Sequence, residues 1–278
     1  MFLSLVNAVP IGALVVIVVA LVVGLTLLGV RLVRRLVPAT RDGFDAEVSS
    51  QLLGVVATLF GLLLAFVVVL TFQAYGDAGA NARQEAAGIA QIVRDSRAFS
   101  PADQAAVSTA CATYVRAVVY DEWPRLRDGG SSTRAAAAVD NLYRAMEAVK
   151  PTTAAASAFY QDAVRGLDDV LTARRNRLAD ADGGLSAPIV GLIVLGSVVI
   201  LGYTVLVGSR SAAFHAAGAG AIALVVGFSL VVLIAYNYPY AGSLAIGTTP
   251  YRAGVLAQYF QPTGRPAAST SAGQQDHQ

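Results

Sequence analysis

Three neighbouring arginines are the side chains whose type and spacing first suggest a chemistry. Arg174, Arg175 and Arg177 stand shortly before a long uncharged stretch. Guanidinium groups attract anions and also bind lipid phosphates. The cluster therefore fits either an anion-attracting vestibule ring or, as the more ordinary interpretation, a charged helix face near lipid headgroups.

The carboxylates of the same charged region predict ion pairing rather than catalysis. Glu85 lies too far along its predicted helix from Arg94 to pair with it, so we expect its partner to be an arginine of another helix. Asp95 and Arg97 are expected to pair in the same way. Exposed pairs of this kind contribute little stability.

The sequence lacks the usual residue patterns of enzymes and metal sites. It contains no phosphate-binding glycine loop with lysine, no metal-ligand spacing and no evident nucleophile with a histidine partner. Cys111 is the only cysteine, which excludes an internal disulfide. His215 is expected to form a hydrogen bond rather than to carry protons. We predict a protein that is not an enzyme and has no cofactor, no metal and no nucleic-acid partner.

Four stretches without Asp, Glu, Lys or Arg dominate the chain. They are Met1–Val30, Val48–Gly76, Gly183–Ser209 and Ser211–Tyr251. A hydrocarbon core of about 30 Å is crossed by roughly 20 apolar residues, so each stretch can form one spanning helix. The predicted fold is an all-α, multi-pass protein of the cell membrane, with four transmembrane helices in two hairpins and a helical extramembrane insert between the second and third.

Changes in charge and composition set the predicted boundaries. We predict a first transmembrane hairpin over residues 1–74, the insert over 75–184, a second hairpin with a post-membrane motif over 185–255, and a disordered tail over 256–278. The second span has no proline before Pro101, so its helix can continue from Ser50 to Arg97, with Gly76 and Gly79 as places to bend.

Capping residues predict where the insert helices begin. Ser100 with Pro101 starts one helix, Ser132 starts the next, and a last helix runs over about Thr153–Leu178. The last helix carries an apolar stripe that leaves most of the three arginines outside it. The stripe consists of Phe159, Ala163, Leu167, Val170 and Leu171.

Two sequence motifs connect the chain to a known family. The first is the run Gly61–Phe66, GLLLAF, followed by the helix Arg83–Ile89. The second comprises Asn237, then Pro239, Tyr240 and Gly242 in the run PYAG, then Pro250-Tyr251. In order and spacing these motifs resemble the bestrophin-like domain family of bacterial membrane proteins. Asn237 departs from the family pattern, which has an aspartate there.

The resemblance carries implications for assembly and orientation. The family is named for a distant likeness to bestrophin anion channels, which are pentamers with a cytosolic helical domain between the second and third spans. It implies a homo-oligomer, small anions as partners, and an insert facing the cytoplasm. Short-loop arginines would instead put the two turns inside, so the sequence leaves the orientation open.

The second span is the expected pore lining if copies of the chain surround a pore. Thr58, Phe60 and Phe66 are the candidates for a hydrophobic constriction, and contact with lipid or other helices is the alternative for each. Two functions remain open. One is a passive anion channel, and the other is a membrane-anchored structural or regulatory protein whose insert binds a partner.

Overall fold

The structure is a computed structural model that describes residues 10–36, 46–207 and 211–261. This part of the chain contains eight α-helices and no β-strand. The helices are α1 (Ile11–Leu36), α2 (Ala46–Asp95), α3 (Pro101–Ala117), α4 (Trp123–Leu126), α5 (Thr133–Glu147), α6 (Ala154–Asp180), α7 (Ala187–Leu206) and α8 (Ala212–Asn237). The all-α prediction is confirmed.

Four helices are long and apolar enough to cross a membrane, as predicted. They are α1, the first part of α2, α7 and α8. Helix α1 packs mainly on α8 and also on α7. Helix α2 packs on the same two helices, so α7 and α8 connect α1 with α2 in the membrane bundle. The predicted turns at residues 37–45 and 208–210 lie outside the described residues.

Helix α2 belongs to both the membrane bundle and the insert. It runs for 50 residues without a break, which confirms the predicted extension beyond the membrane. Its second part packs along α6. The two helices approach closely at Gly88 and Gly166, where a Cβ on Gly88 would lie 2.8 Å from the carbonyl oxygen of Gly166.

The insert is a helical unit with its own apolar core. Ser100, Ser132 and Thr153 cap α3, α5 and α6 by accepting hydrogen bonds from backbone N–H groups, as the sequence predicts. The predicted stripe of α6 is buried at Ala163, Leu167 and Val170. Phe159 is the exception, since it lies at the surface while its neighbour Tyr160 packs on Phe99.

The chain after α8 folds back over the insert. Tyr240, Tyr251, Leu256 and Tyr259 are buried in the insert core, and Arg116 donates two hydrogen bonds to the carbonyl oxygen of Tyr259. The predicted start of a disordered tail at residue 256 is therefore wrong, because residues 254–260 form a packed 3₁₀-helix. The rest of the predicted tail, residues 262–278, lies outside the described residues.

Candidate functional site

One face of α2 is left uncovered by every other described helix. Its exposed residues recur at intervals of three and four, the spacing of a single helix face. They are Leu52, Val55, Leu59, Leu62, Phe66, Val69, Gln73, Asp77, Ala80, Gln84, Ala87, Gln91 and Arg94. We call this set the α2 stripe. It is apolar as far as Val69 and polar or small beyond that residue, so its composition changes where α2 leaves the membrane.

The three predicted pore residues occupy different environments on α2. Phe66 lies on the α2 stripe and is 62% exposed. Thr58 is also exposed, and its hydroxyl donates to the carbonyl of Gly54. Phe60 is buried against Gly196 of α7, within an apolar cluster of α2, α7 and α8. The helix-packing alternative therefore describes Phe60, while Thr58 and Phe66 remain predictions for a pore.

A network of buried charges forms the centre of the insert. Arg177 of α6 donates from Nε to Oε2 of Glu85 at 2.7 Å and from Nη2 to Oε2 of Glu122 at 2.7 Å. Arg174 donates to Oε1 of Glu122 at 2.6 Å. Tyr114 donates to Oε1 of Glu85 at 2.7 Å. Two carboxylates thus meet two guanidinium groups, which balances the charge of this buried network.

A π-helical turn brings Glu122 into this network. Residues Val118–Glu122 follow α3 as a π-helix, and Trp123 begins α4 directly afterwards. The Trp123 ring lies 5.3 Å from Cζ of Arg177, a cation–π distance. The wider π turn shifts the helix register, so that both Glu122 and Trp123 face the core.

The predicted arginine vestibule is not formed by all three of its residues. Arg177 is fully buried, which contradicts the expectation that most of the three arginines lie outside the apolar stripe. Arg174 is mostly buried in its pair with Glu122. Arg175 is exposed, and a vestibule role stays a prediction for it alone. Arg177 is buried because it lies seven residues after Val170, which places it on the buried face of α6.

The electrostatics favour the charged forms of Glu122 and Arg177. Burial opposes ionisation of Glu122, but the charge of Arg177 and the hydrogen bonds from Arg174 and Arg177 bring its pKa below the ordinary value of 4.5. Burial also opposes the charge of Arg177, yet the Glu85 carboxylate raises the pKa of the guanidinium. Burial and then Glu85 raise the pKa values of Tyr114 and Tyr251, so both phenols remain neutral.

Two of the predictions on other titratable residues are confirmed and one is wrong. Glu85 pairs with an arginine of another insert helix, as expected, but the pair is fully buried and not exposed as predicted. The buried His215 makes its hydrogen bond to the carbonyl oxygen of Thr204 at 3.0 Å. Asp95 instead accepts from the Gln91 amide at 2.9 Å. Among the described residues, no three His, Cys, Asp or Glu side chains gather as metal ligands would.

Asn237 joins the end of α8 to the entrance of α7. Its Oδ1 accepts a hydrogen bond from the Leu185 N–H at 2.8 Å, and its carbonyl oxygen accepts from the Gly184 N–H at 3.3 Å. Gly183 has a φ of +96°, and a Cβ there would lie 3.1 Å from Nδ2 of Asn237. The amide oxygen accepts here as a carboxylate oxygen could, so this contact does not require a charged side chain.

The rest of the post-membrane motif attaches the membrane helices to the insert. Tyr240 is buried and donates to the Ala78 carbonyl of α2 at 3.0 Å. The carbonyl of Pro239 accepts from the Ile246 N–H, and Trp123 donates to the Ile246 carbonyl at 3.0 Å. Gly242 adopts a φ of +73°, a conformation that favours glycine. The motif is thus a structural joint between α2, α4 and α8.

Glu122 and Tyr114 are the residues of the network that sequence reasoning did not find. Tyr114 lies four residues before Val118 and three after Cys111, both buried, so helical spacing places it in the core. No single-sequence signal marks the π-helix that turns Glu122 inward.

The fold and the motif residues define the class of protein. Four apolar helices, a long second helix and an insert closed by a post-membrane segment describe a helical membrane protein. The sequence model of the bestrophin-like domain matches residues 20–251. The chain belongs to the bestrophin-like family. No curated protein and no solved structure matches the chain.

Proposed function

We propose that this bestrophin-like protein is a subunit of a homo-oligomeric passive channel of the cell membrane, in which the α2 stripe faces the pore. The observation that carries the proposal is the continuity of this uncovered stripe from Leu52 to Arg94 on one helix. Because the stripe lies at the surface of a single chain, several copies around an axis are needed to enclose a pore.

The composition of the stripe supports conduction with a hydrophobic constriction. Leu59, Leu62 and Phe66 would form successive apolar rings, which can gate by expelling water. Beyond the membrane, Gln84 and Gln91 would present neutral polar groups to a wider vestibule. The α2 segment from Gln51 to Gly76 contains no ionisable acid or base other than Tyr75, so the proposed transport needs no coupled proton.

The exposed charges of α2 and the 3₁₀ turn after it support anions as the conducted species. Over residues 51–98, where exposure is described, Arg83, Arg94 and Arg97 are exposed, against one exposed acid, Asp77. An excess of positive charge at a pore mouth raises the local concentration of anions. Arg175 would contribute to the same vestibule if it faces the axis in the oligomer.

A second candidate function is a membrane-anchored regulatory protein whose insert binds a partner. Helix α3 favours it, because its exposed face carries Ala102, Ala106, Thr109 and Thr113 at helical spacing. Helices α5 and α6 expose charged faces by contrast, with residues such as Arg144, Glu147, Asp168 and Asp169. A small, neutral face lets another helix approach closely, whether from a partner or from a second copy.

Flux measurements on purified, reconstituted protein test the channel. Chloride flux should exceed potassium flux in liposomes, and Phe66→Ala on the stripe should change the chloride flux at equal protein content. Phe228→Ala is the matched control, since Phe228 is exposed on α8 away from the stripe. Absence of chloride flux from a folded oligomer would contradict the channel and favour the partner-binding function.

A further inference from the structure

Charges of opposite sign lie on the two sides of the α2 stripe. Arg83 and Arg94 are exposed and eleven residues apart, so they share one side of α2 at about 100° per residue. Asp77 is exposed six residues before Arg83, which places it about 120° away, at the other border of the stripe. We call Arg83 and Arg94 the basic edge. Within the described ranges, neither arginine forms an ion pair or a hydrogen bond from its side chain.

Helix α6 extends the acidic side of α2. Asn81, four residues after Asp77, donates to Oδ2 of Asp180 at 2.7 Å, so α6 adjoins α2 on the side of Asp77. Asp169 is exposed eleven residues before Asp180 and therefore lies on the same side of α6. We call Asp77, Asp169 and Asp180 the acidic edge. In the part of the chain that the structure describes, these three carboxylates form no ion pair.

Asp180 is the member of the acidic edge that a cation would stabilise most. It is half-buried, and burial raises the pKa of its carboxyl, as does the charge of Asp77, against a lowering by the Asn81 hydrogen bond. A positive charge beside such a carboxylate favours its ionised form. Asp162, on the same side of α6, already has a cation, because Arg165 lies 2.6 Å from it.

The guanidinium of Arg83 and the carboxylate of Asp180 lie at the same level along α2. Oδ2 of Asp180 is beside Asn81. Nη1 of Arg83 is beside Gly79, since a Cβ on that glycine would lie 3.3 Å from it. Gly79 and Asn81 are two residues apart, about 3 Å along the helix axis. An arginine of a neighbouring copy can therefore reach Asp180 without a shift along the membrane normal.

The second members of the two edges have the same spacing. Arg94 follows Arg83 by eleven residues of α2, and Asp169 precedes Asp180 by eleven residues of α6, about 16 Å in both cases. Helix α6 runs antiparallel to α2, as the contacts Asn81–Asp180 and Gly88–Gly166 show. Both second members therefore lie on the far side of the first members from the membrane, so both pairs can form in one register.

We propose that the basic edge of one copy of the chain docks on the acidic edge of the next copy, with Arg83 paired to Asp180 and Arg94 paired to Asp169. The inference rests on the proposed channel, because it names the contact by which copies enclose the α2 stripe. The edges lie on opposite borders of the stripe, so repetition of this head-to-tail contact closes a ring with every stripe towards the axis. A contact between two like edges would bring equal charges together. Arg97 has no acid assigned to it in this ring and attracts anions at the pore mouth.

Chemical crosslinking of the full-length protein tests the contact. Arg83→Cys and Asp180→Cys are combined in one chain, reconstituted in liposomes and treated with a short bismaleimide, because a disulfide cannot bridge the span of an arginine side chain. Each chain carries both reactive positions, so a head-to-tail ring should yield a ladder of covalent products larger than a dimer. Cys111 does not compete, since it is buried and burial raises the pKa of its thiol to about 12.

A second cysteine pair and a matched control accompany this variant. Arg94→Cys with Asp169→Cys should give the same ladder, and both positions are exposed, so these substitutions spare the core. The control is Arg83→Cys with Arg175→Cys. Arg175 is exposed on α6 about 140° around the helix from Asp180, so this pair should give no ladder.

Charge reversal separates ion pairing from proximity. Arg83→Glu should weaken association of the copies roughly 10-fold, the lower range for close charge pairs across an interface, and Asp180→Lys in the same chain should restore it. Dimers without larger products, a ladder from the control pair, or no restoration would overturn the contact. A ladder without chloride flux would keep the contact and contradict the channel. Chloride flux from a folded oligomer that forms no ladder with either cysteine pair would overturn the contact and leave the channel in place.

Discussion

The membrane half and the insert half of α2 are parts of one helix, but they are covered differently. Between Gln51 and Ala74, the buried side chains are Phe60, Leu64, Val67 and Thr71. Between Ala78 and Val93, a shorter length of helix buries Ala78, Ala82, Glu85, Ala86, Ile89, Ile92 and Val93. The insert half thus has a core of its own, whereas the membrane half leaves most of its apolar surface to lipid or to other copies of the chain.

The difference reflects the two solvents. In water, burial of apolar side chains drives the insert to close around α2. In lipid, burial of apolar groups gains little, so the membrane helices must associate through close packing at small residues. Gly196 against Phe60 and Gly29 against Val205 are such contacts. The insert is therefore expected to hold its structure more firmly than the bundle.

Loss of Arg177 is expected to be the most damaging change to the insert half. Arg177→Met leaves Glu85 without its cationic partner in a buried site, and removing one member of a buried ion pair costs about 3–5 kcal/mol. Cys111 provides the measurement, because it is the only cysteine and burial raises the pKa of its thiol to about 12. The alkylation rate of Cys111 should rise steeply as the insert opens more often.

Arg175→Met is the matched control on the same helix. Arg175 is exposed, and within the described part of the chain it hydrogen-bonds to Leu171 and Thr172 of its own helix. Its loss should therefore change stability by no more than about 0.5 kcal/mol. Equal alkylation rates in the two variants would contradict the buried network as a source of stability.

The Gly88 contact is the next largest expected effect. Gly88→Ala places a Cβ against α6, and overpacking of this kind costs about 1–3 kcal/mol. Gly76→Ala, on the same helix, meets no atom within 4 Å and should stabilise α2 by up to about 1 kcal/mol through helix propensity. Chemical unfolding curves should therefore shift in opposite directions. A shift in the same direction would show that α2 and α6 are not tightly packed.

The sequence predicted the helices well because their signals are local. Uncharged runs marked the spans, and Ser100, Ser132 and Thr153 marked helix starts through their capping oxygens. The burial of Arg177 could also have been predicted, since the stripe Ala163, Leu167 and Val170 continues to position 177 by helical spacing. Charged side chains are rarely buried unless they are paired, and a single sequence does not show that Glu85 and Glu122 lie close enough to pair with Arg177.

The joint formed by the post-membrane motif was not predictable in the same way. Asn237 and Tyr240 form hydrogen bonds with residues far away in the chain, Leu185 and Ala78. Such long-range contacts leave no periodic pattern in a single sequence. The resemblance to the family identified these positions but not their partners. The uncovered face of α2 had a detectable period, yet only the packing of α6, α7 and α8 shows which face stays open.

Acid should weaken the insert through Glu122. The pKa of this carboxyl is lowered in the folded protein, so its ionised form contributes stability above the ordinary value of 4.5. That contribution is lost as the pH falls below 4.5 and passes through the lowered pKa. Disulfide exchange of Cys111 with a pyridyl disulfide, which reacts with thiols down to acidic pH, can be measured between pH 7 and pH 3. Its rate, divided by the rate for the unfolded protein at each pH, should show increasing exposure in the acid range.

Glu122→Gln is the comparison for the acid effect. The insert of this variant should be less stable at neutral pH than that of the unsubstituted protein. Because one titrating group has been removed, the stability of the variant should depend less steeply on pH below 4.5. The effect is expected to be smaller than that of Arg177→Met, because Glu85 and Arg177 remain paired. An unchanged pH dependence would assign acid sensitivity to other carboxylates.

The smallest expected effect concerns the membrane half. Gly196→Ala introduces a Cβ that collides with the Phe60 ring, and the ring can move, so we expect a loss of only about 1 kcal/mol. Phe60→Leu should relieve the collision in the double variant, whereas Gly191→Ala, which meets no neighbour, should be neutral. Circular dichroism during unfolding by sodium dodecyl sulfate measures these differences. Rescue by Phe60→Leu would establish Phe60 as a packing residue between α2 and α7, and thereby assign any constriction to the exposed stripe. Without rescue, the Phe60 ring would have to point away from α7, and the membrane half of α2 would need a different rotation from the one that leaves Phe66 uncovered.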